Sequence, residues 1–386
     1  MNDRLDDTMS ILDALIAHPT VSPGPNRSVI DDIAGRLENV GARVRLVTDE
    51  SGAKANLFAT LGPEGDGGIV LSGHSDVVPA EESGWTSDPF TMRAEDGKLY
   101  GRGTCDMKGF IAAVLATAPL YATGTLRRPV HFAFTYDEEV GCLGARHLVE
   151  VLGRDGPRPS MAIVGEPTSM RIIEGHKGCC EYSTSFHGLE GHGSQPDLGV
   201  SAVEYAARFV GRLLEMRAEL TDAAPAGSRF DPPWTTLQVG RMEGGVAHNV
   251  IAGLARVDWE LRPVRERDRE HVVRTMREYC NDVLLPAMRS VHPGAAIETE
   301  VIGEVAGLEP VDDNEARRIV QELTGGNSAD LVSFGTEAGL FQSLGMSVVV
   351  CGPGSIEQAH KANEFVALDQ LSACLDMLER LDAHLR

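Results

Sequence analysis

Histidine and carboxylate side chains recur along the chain beside glycine-rich turns and at the ends of short apolar runs. They are His74 with Asp76, Asp106, the Asp137-Glu138-Glu139 triplet, Glu166 and His360. Imidazole and carboxylate are the groups that hold zinc in catalytic sites. Hydrolysis of an unactivated amide at neutral pH needs a strong nucleophile and charge stabilisation, and two zinc ions about 3.5–4 Å apart supply both. These residue types therefore favour a dinuclear zinc hydrolase.

The predicted elements bring most of these side chains to one edge of a sheet. Apolar runs have the length of buried strands and alternate with helical patterns; the runs are Ile69–Leu71, Val130–Tyr136, Ala162–Val164 and Val348–Val350, and the helices Gly109–Tyr121 and Gly141–Leu152. This alternation predicts an α/β fold with a mostly parallel sheet sandwiched by helices. In such sheets ligands bind at the carboxyl ends of the strands, where these polar residues follow the runs.

The adjacent Glu138 and Glu139 constrain where the strand before them can end. Neighbouring side chains on a regular strand point to opposite faces of the sheet. Both glutamates can reach one site only if the strand has ended before them. Gly141, two residues further on, indicates an irregular turn at this point.

The middle of the chain has a different pattern. Alternating strands are combined with two long helices; the strands are Cys180–His187, Leu237–Arg241 and Ala255–Leu261, and the helices Val200–Leu220 and about Arg265–Leu284. We therefore predict a zinc-binding catalytic domain made of residues 1–179 and 306–386. A smaller α+β domain, residues 180–305, is inserted into it.

Composition excludes several classes of partner. The formal net charge is -22, which would repel nucleic acid and anionic membranes. The seven cysteines are scattered and odd in number, which favours a reducing compartment over a disulfide framework. The first 18 residues are typical of an amphipathic helix and not of a signal peptide. We expect a cytoplasmic protein without nucleic-acid or membrane partners.

The candidate segments, in this order, resemble the family of acetylornithine deacetylase and succinyl-diaminopimelate desuccinylase over nearly the whole chain. That family includes aminoacylases, glutamate carboxypeptidases and other peptidases. The resemblance implies two zinc ions per chain, with cobalt or manganese as alternatives, bridged by Asp106. His74 and Glu166 would complete one metal site, and Glu139 and His360 the other. Glu138 would be the general base, and Asp76 would orient His74 through its second ring nitrogen.

The same resemblance implies roles for residues of the inserted domain. His192, in a Gly-His-Gly turn, matches a histidine that donates to the developing oxyanion from a partner subunit. It therefore implies a homodimer formed through the inserted lid/dimerisation domain. Asn249 and Arg262 would face the substrate carboxylate, although an ion pair within the protein is an alternative role for Arg262.

The substrate prediction depends on other segments. Gly335 and Thr336 match a loop that lines the family's pocket, and Glu337 would pair with a cationic side chain or else charge a helix N-terminus. Glu337-Ala338, Lys177 and the Gly352–His360 string are similar to those of acetylornithine deacetylases. They predict removal of acetate from N-acetyl-L-ornithine, a step of arginine biosynthesis. The alternatives are a deacylase for another N-acyl amino acid such as succinyl-diaminopimelate, a dipeptidase, or a non-catalytic binding protein.

Overall fold

The computed structural model of the chain describes residues 3–80 and 83–386. Its α-helices are α1 Asp3–Ile16, α2 Arg27–Asn39, α3 Lys108–Tyr121, α4 Leu143–Asp155, α5 Ala202–Asp222, α6 Glu266–Glu278, α7 Leu285–Val291, α8 Glu315–Thr324, α9 Ala338–Ser343 and α10 Leu368–Leu385. The predicted N-terminal helix is thus present from Asp3, whereas Met1 and Asn2 lie outside the described residues. No helix in the described part of the chain is long and apolar enough to cross a membrane.

The strands are β1 Arg43–Thr48, β2 Ala55–Leu61, β3 Ile69–His74, β4 Arg93–Glu95, β5 Lys98–Tyr100, β6 Val130–Thr135, β7 Met161–Pro167, β8 Ile173–His176, β9 Cys179–His187, β10 Gly191–His192, β11 Thr236–Gly244, β12 Val250–Ile251, β13 Leu254–Arg262, β14 Ala296–Val305, β15 Asp330–Val332, β16 Ser347–Gly352 and β17 Phe365–Ala367. They divide between two compact units. The first unit comprises Met1–Gly175, Pro310–Leu331 and Thr336–Arg386, and the second comprises His176–Glu309 and Val332–Gly335.

An eight-stranded sheet forms the centre of the first unit, in the order β1-β2-β6-β3-β7-β16-β8-β15. The four middle strands, β6, β3, β7 and β16, are parallel to one another. β1, β2 and β8 pair in the antiparallel sense at the two sides. The prediction of a mostly parallel sheet flanked by helices is confirmed.

Burial of both faces explains why the middle strands form from continuous apolar runs. Every residue of β3, β6 and β7 is buried. The Ala-rich helix α3 is buried along nearly its whole length and packs on this sheet. A Cβ atom built on Gly165 would lie 2.0 Å from the Phe110 ring, so glycine is required where α3 crosses β7. Removal of this apolar surface from water is the main force that holds the layers together.

The second unit contains a four-stranded antiparallel sheet in the order β11-β13-β9-β14. Aromatic side chains from the sheet and α5 form its core; Tyr182 stacks on Trp259 with ring centroids 4.4 Å apart, and Phe209 meets Trp259 edge-on. The predicted second long helix begins at Glu266 but passes through a π-helical stretch, Tyr279–Leu284, before α7. β14 was not predicted from the sequence: none of its residues is buried, and Thr299 and Gly303 interrupt the apolar positions of its alternation.

Candidate metal centre

The predicted ligands gather at the carboxyl edge of the four parallel strands of the first unit. His74 is the last residue of β3, and Glu166 lies near the end of β7. Glu138 and Glu139 follow β6, and His360 follows β16. Asp106 occupies the loop immediately before α3. The topology therefore brings together residues that are separated by up to 286 positions in the sequence (74 to 360).

Asp106 lies between the two histidines. Its Oδ1 is 3.0 Å from His74 Nε2, and its Oδ2 is 3.4 Å from His360 Nε2. Each oxygen of one carboxylate thus faces a different imidazole. A carboxylate that bridges two metal ions has this arrangement, in which each oxygen and its neighbouring ring nitrogen belong to one site.

A further carboxylate accompanies each histidine. His74 Nε2 lies 3.8 Å from Glu166 Oε1, and His360 Nε2 lies 3.0 Å from Glu139 Oε2. Ligand atoms of His74, Asp106 and Glu139 lie within 4.8 Å of one another, as do those of His74, Glu138 and Glu166. We call His74, Asp106, Glu139, Glu166 and His360 the metal cluster.

The electrostatics of the metal cluster suit bound cations. Glu166 is 4% exposed, and its Oε1 has no hydrogen-bond partner among the described residues. Burial, followed by the charge of Asp106, raises the pKa of Glu166 well above its usual range. Burial likewise raises the pKa of Glu139, with Asp106 adding to the effect. Several carboxylates held together away from water are costly unless cations neutralise them. The donor set of imidazoles and carboxylates fits zinc.

Asp106 and His360 titrate in directions set by their contact. Burial opposes ionisation of Asp106, but hydrogen bonds from His360 and His74 outweigh it and hold its pKa below the usual range. Hydrogen bonds to Asp106 and then Glu139 raise the pKa of His360 to about 10. A metal ion would replace the proton between each imidazole and its carboxylate partner.

Glu138 and Glu139 lie on an irregular turn, as their adjacency requires. β6 ends at Thr135, Asp137 adopts a left-handed backbone with φ 53°, and Gly141 has φ 108°. Asp137 forms an ion pair with Lys54, which secures the start of the turn. Burial raises the pKa of Glu138 to about 8, which suits a group that takes and returns a proton near neutral pH.

Asp76 organises this turn with its carboxylate. Its Oδ1 accepts the Glu138 N–H at 3.1 Å and its Oδ2 accepts the Glu139 N–H at 3.4 Å. The second ring nitrogen of His74 lies 2.9 Å from the backbone oxygen of Asp76 and 3.6 Å from its carboxylate. The structure thus adds to the predicted role: the Asp76 carbonyl contacts the His74 imidazole, while the Asp76 carboxylate accepts the backbone N–H groups of Glu138 and Glu139.

The second unit presents His192 and Asn249 together at its surface. β10 pairs with β12, and the Gly193 N–H donates to the Asn249 carbonyl at 2.8 Å. Both side chains are exposed. His192 Nδ1 lies 2.8 Å from Ser194 Oγ, which leaves Nε2 directed away from this local contact.

Arg262 is paired within its own strand. Its Nη2 lies 3.1 Å from Glu260 Oε2, and both side chains are one-third exposed. This is the ion pair that the sequence left open as the alternative to substrate binding. Gly335 lies in the second unit and is half-buried, whereas Thr336 is buried and its Oγ1 accepts the Ala338 N–H at 3.1 Å.

Glu337 lies at the N-terminus of α9, one of its two predicted positions, but its side chain is buried. Its side chain is 0% exposed, and its carboxylate accepts hydrogen bonds from Ser72 Oγ at 2.5 Å and Thr135 Oγ1 at 2.7 Å. It also makes no side-chain cap to α9. The expectation that Glu337 faces a cationic substrate group is therefore wrong in this structure: its carboxylate ties the end of β3 to the end of β6. Nothing in the sequence distinguishes Ser72 and Thr135 from the other serines and threonines as partners of Glu337.

Comparison with known proteins identifies the family of the chain. A model of peptidase family M20/M25/M40 matches residues 70–382. The chain is 37% identical to an acetylornithine deacetylase of Myxococcus xanthus over 390 residues, which covers 100% of this chain and 99% of the relative.

Solved structures show the same fold. The chain superposes on the aminopeptidase PepT of Bacillus cereus with a TM-score of 0.72 at 19% identity, covering 98% of each chain. It superposes on a dinuclear metal-binding peptidase of the M20 family from Bacillus subtilis with a TM-score of 0.65 at 18% identity, covering 100% of this chain and 99% of the other.

Proposed function

The chain belongs to peptidase family M20/M25/M40 and is a metal-dependent amide hydrolase; within that class, we propose that it removes the acetyl group from N-acetyl-L-ornithine. The products would be L-ornithine and acetate. The observation that carries the proposal is the metal cluster, in which Asp106 faces both histidines and each histidine has its own carboxylate.

We propose zinc as the metal, with two ions per chain. His74, Asp106 and Glu166 would hold one ion, and Asp106, Glu139 and His360 the other. Cobalt and manganese accept similar donors and are the alternatives. When bound, the ions would supply Lewis acidity, which lowers the pKa of a water molecule and polarises an acyl carbonyl.

Glu138 moves the protons of the proposed reaction. Its carboxylate takes a proton from the attacking water and then gives it to the amine that leaves. Three contacts prepare it for this role: Asp76 holds its backbone N–H, the Glu138–Gly141 turn fixes its direction, and Cys142 Sγ lies 3.4 Å from its Oε1. Because Glu139 is held by the same Asp76 carboxylate, the base and its neighbouring ligand keep a fixed relation.

The second unit would recognise the substrate. We propose that His192 donates a hydrogen bond to the developing oxyanion and that Asn249 and Arg262 bind the substrate carboxylate. Gly335 and Thr336 would line the pocket. A homodimer formed through the second unit would let His192 act on the partner's substrate, and we propose that assembly. The exposed position of His192 supports it.

The choice of acetylornithine rests on likeness more than on a recognised cationic subsite. The relative from Myxococcus xanthus carries that activity in its name and matches this chain from end to end. Glu337 no longer supports the choice, because its carboxylate is buried. Hydrolysis of another N-acyl amino acid or of a dipeptide uses the same chemistry, and these are the competing substrates. We propose the cytoplasm and arginine biosynthesis as the setting.

A substrate panel with metal restored tests the proposal. N-acetyl-L-ornithine, N-succinyl-diaminopimelate and a dipeptide are each given to zinc-loaded protein, and the released amine is measured. We expect the highest kcat/KM for acetylornithine. Turnover of the dipeptide without turnover of acetylornithine would overturn the substrate. Fewer than one zinc per chain after loading, with no turnover at all, would favour a binding protein.

A further inference from the structure

Glu364 is a buried carboxylate to which the sequence motifs assigned no role. Its side chain is 1% exposed, and four N–H groups donate to it. Oε2 accepts from Arg102 Nη1 at 2.9 Å and from the Gly103 amide at 3.0 Å. Oε1 accepts from the Cys105 amide at 2.8 Å and from the Asp106 amide at 3.0 Å.

These donors belong to the loop that carries the bridging ligand. Residues 101–106 precede α3, and three of their backbone amides converge on one carboxylate. A backbone amide can only donate, so a buried loop of this shape requires an acceptor at its centre. Hydrogen bonds to a charged group are stronger than those between neutral groups, and one of the donors here is the backbone N–H of Asp106 itself.

Glu364 also joins this loop to the segment that carries His360. It lies four residues after His360, and its backbone oxygen accepts the Gly101 amide at 3.0 Å. Arg102 adds hydrogen bonds to the Lys361 oxygen at 3.4 Å and the Pro79 oxygen at 3.1 Å. The loop before α3 and the segment after β16 are therefore held as one body around a single carboxylate.

We propose that Glu364 is a positioning residue for the dinuclear metal site: it fixes Asp106 against His360 so that one carboxylate can serve both ions. The inference rests on the proposed function, because it assumes that Asp106 bridges two metals. Glu364 is not in either group of candidate metal ligands. It acts through the direction that its hydrogen bonds give to the Asp106 backbone.

The substitution Glu364→Gln tests this role with little change of shape. The amide keeps one oxygen, but its NH₂ group cannot accept, so two of the four donors lose their acceptor whichever way the amide is turned. We expect metal affinity to fall about 10- to 100-fold, as for other groups that orient a ligand. Zinc affinity is measured by competition with a chelator, and cobalt-loaded protein is examined by visible absorption, which reports the geometry at the metal.

Glu174→Gln is the matched control. Glu174 is a buried carboxylate of the same unit, 2% exposed, and it is paired with Arg317 away from the metal cluster. This variant should lose stability while keeping wild-type zinc affinity and the wild-type cobalt spectrum. Thermal unfolding of all proteins in chelator separates loss of folding from loss of metal binding.

Arg102→Met provides a second test if Glu364→Gln does not fold. It removes one of the four donors to Glu364 and leaves the three backbone donors in place. We therefore expect about a fivefold loss of zinc affinity. Unchanged zinc affinity and cobalt spectrum in a folded Glu364→Gln protein, or failing that in Arg102→Met, would overturn the positioning role. Wild-type protein that binds no zinc would instead overturn the proposed function, which keeps the two failures distinct.

Discussion

The metal cluster and the segments of the second unit that we propose to face the substrate are built in opposite ways. The cluster lies at the ends of buried strands, and its neighbours Asp76, Glu364 and Lys54 hold the loops that carry it. His192 and Asn249 are exposed, and their contacts among the described residues include the β10–β12 pairing and the His192–Ser194 hydrogen bond. A single chain thus brings the candidate metal ligands together, whereas the proposed recognition groups stay exposed in it.

The difference follows from the cost of each kind of group. Clustered carboxylates repel one another, so only a rigid frame of buried strands and hydrogen bonds can hold them ready for metal. A donor or a guanidinium that meets substrate must stay solvated until binding, because a buried unpaired charge is expensive. Substitutions in the two regions should therefore separate loss of metal, loss of turnover and loss of substrate binding.

Substitution of the proposed base, Glu138, should give the largest loss of turnover without loss of metal. Glu138→Gln removes the proton acceptor, so we expect kcat to fall about 10²–10⁴-fold. Metal content stays at the wild-type value, because the five residues of the metal cluster are unchanged. Steady-state kinetics and metal analysis of the same preparation measure both. A loss of less than about tenfold would show that another group is the base.

Substitution of His192 should also lower turnover with metal retained, although the residue lies in the other unit. Loss of one oxyanion donor costs about 10²–10³-fold in kcat. His187→Ala is the matched control, since His187 is an exposed histidine at the end of the nearby strand β9. Equal kinetics of the His192→Ala and wild-type proteins would remove His192 from the mechanism.

A mixture of the two inactive variants tests whether His192 serves the site of its own chain or that of a partner chain. If it acts across a homodimer, subunits of His192→Ala and Glu138→Gln that exchange freely should regain about a quarter of the wild-type activity, because half of the dimers are mixed and each has one complete site. If His192 acts within its own chain, the mixture stays inactive. The size of the protein in solution gives the complementary measurement.

The same contrast explains what the sequence could predict. The ligands of the cluster were predictable because each one follows an apolar run or glycine-rich loop, and parallel strands must bring such ends together. The turn at Glu138 and Glu139 was predictable because adjacent strand residues cannot share a face. The roles in the second unit came from resemblance alone and stay predictions.

The interior contacts of charged residues were not predictable. Glu337 and Glu364 are both glutamates in polar-looking segments, yet both are buried, one on hydroxyls and the other on backbone amides. Their partners lie more than 200 positions away in the sequence (72 to 337, and 106 to 364), and nothing local marks the contact. Burial of a carboxylate is decided by tertiary packing, which is why the substrate role assigned to Glu337 was wrong.

A smaller effect should follow substitution of Arg262. If its guanidinium binds the substrate carboxylate, Arg262→Gln should raise KM by about tenfold, the worth of a charge-assisted hydrogen bond, with a smaller change in kcat. Arg256→Gln is the matched control, because Arg256 is paired with Asp258 on the same strand, as Arg262 is with Glu260. Such exposed pairs contribute little to stability. Equal KM values for the two variants would leave Arg262 with a structural role only.

The smallest effect concerns Glu337, and it is an effect on stability. Burial raises the pKa of this carboxyl above its ordinary value of 4.5, so the folded chain holds its proton more tightly than the unfolded chain does. The stabilising contribution is then fully present below pH 4.5 and is lost as the pH rises through the folded-state pKa. Glu337→Gln removes this dependence, because the amide is neutral throughout.

The hydroxyls of Ser72 and Thr135 can each donate or accept, so they can satisfy an amide in place of the carboxylate. We therefore expect the unfolding free energy of Glu337→Gln, relative to wild type, to increase between pH 5 and pH 8. Thermal unfolding at both pH values, with metal and with chelator, measures the change. Glu174→Gln breaks an ion pair with Arg317 and should be less stable than wild type at pH 8. Equal destabilisation of Glu337→Gln at pH 8 would show that the wild-type chain needs Glu337 as an anion. The interpretation that Glu337 only links two strand ends would then be wrong.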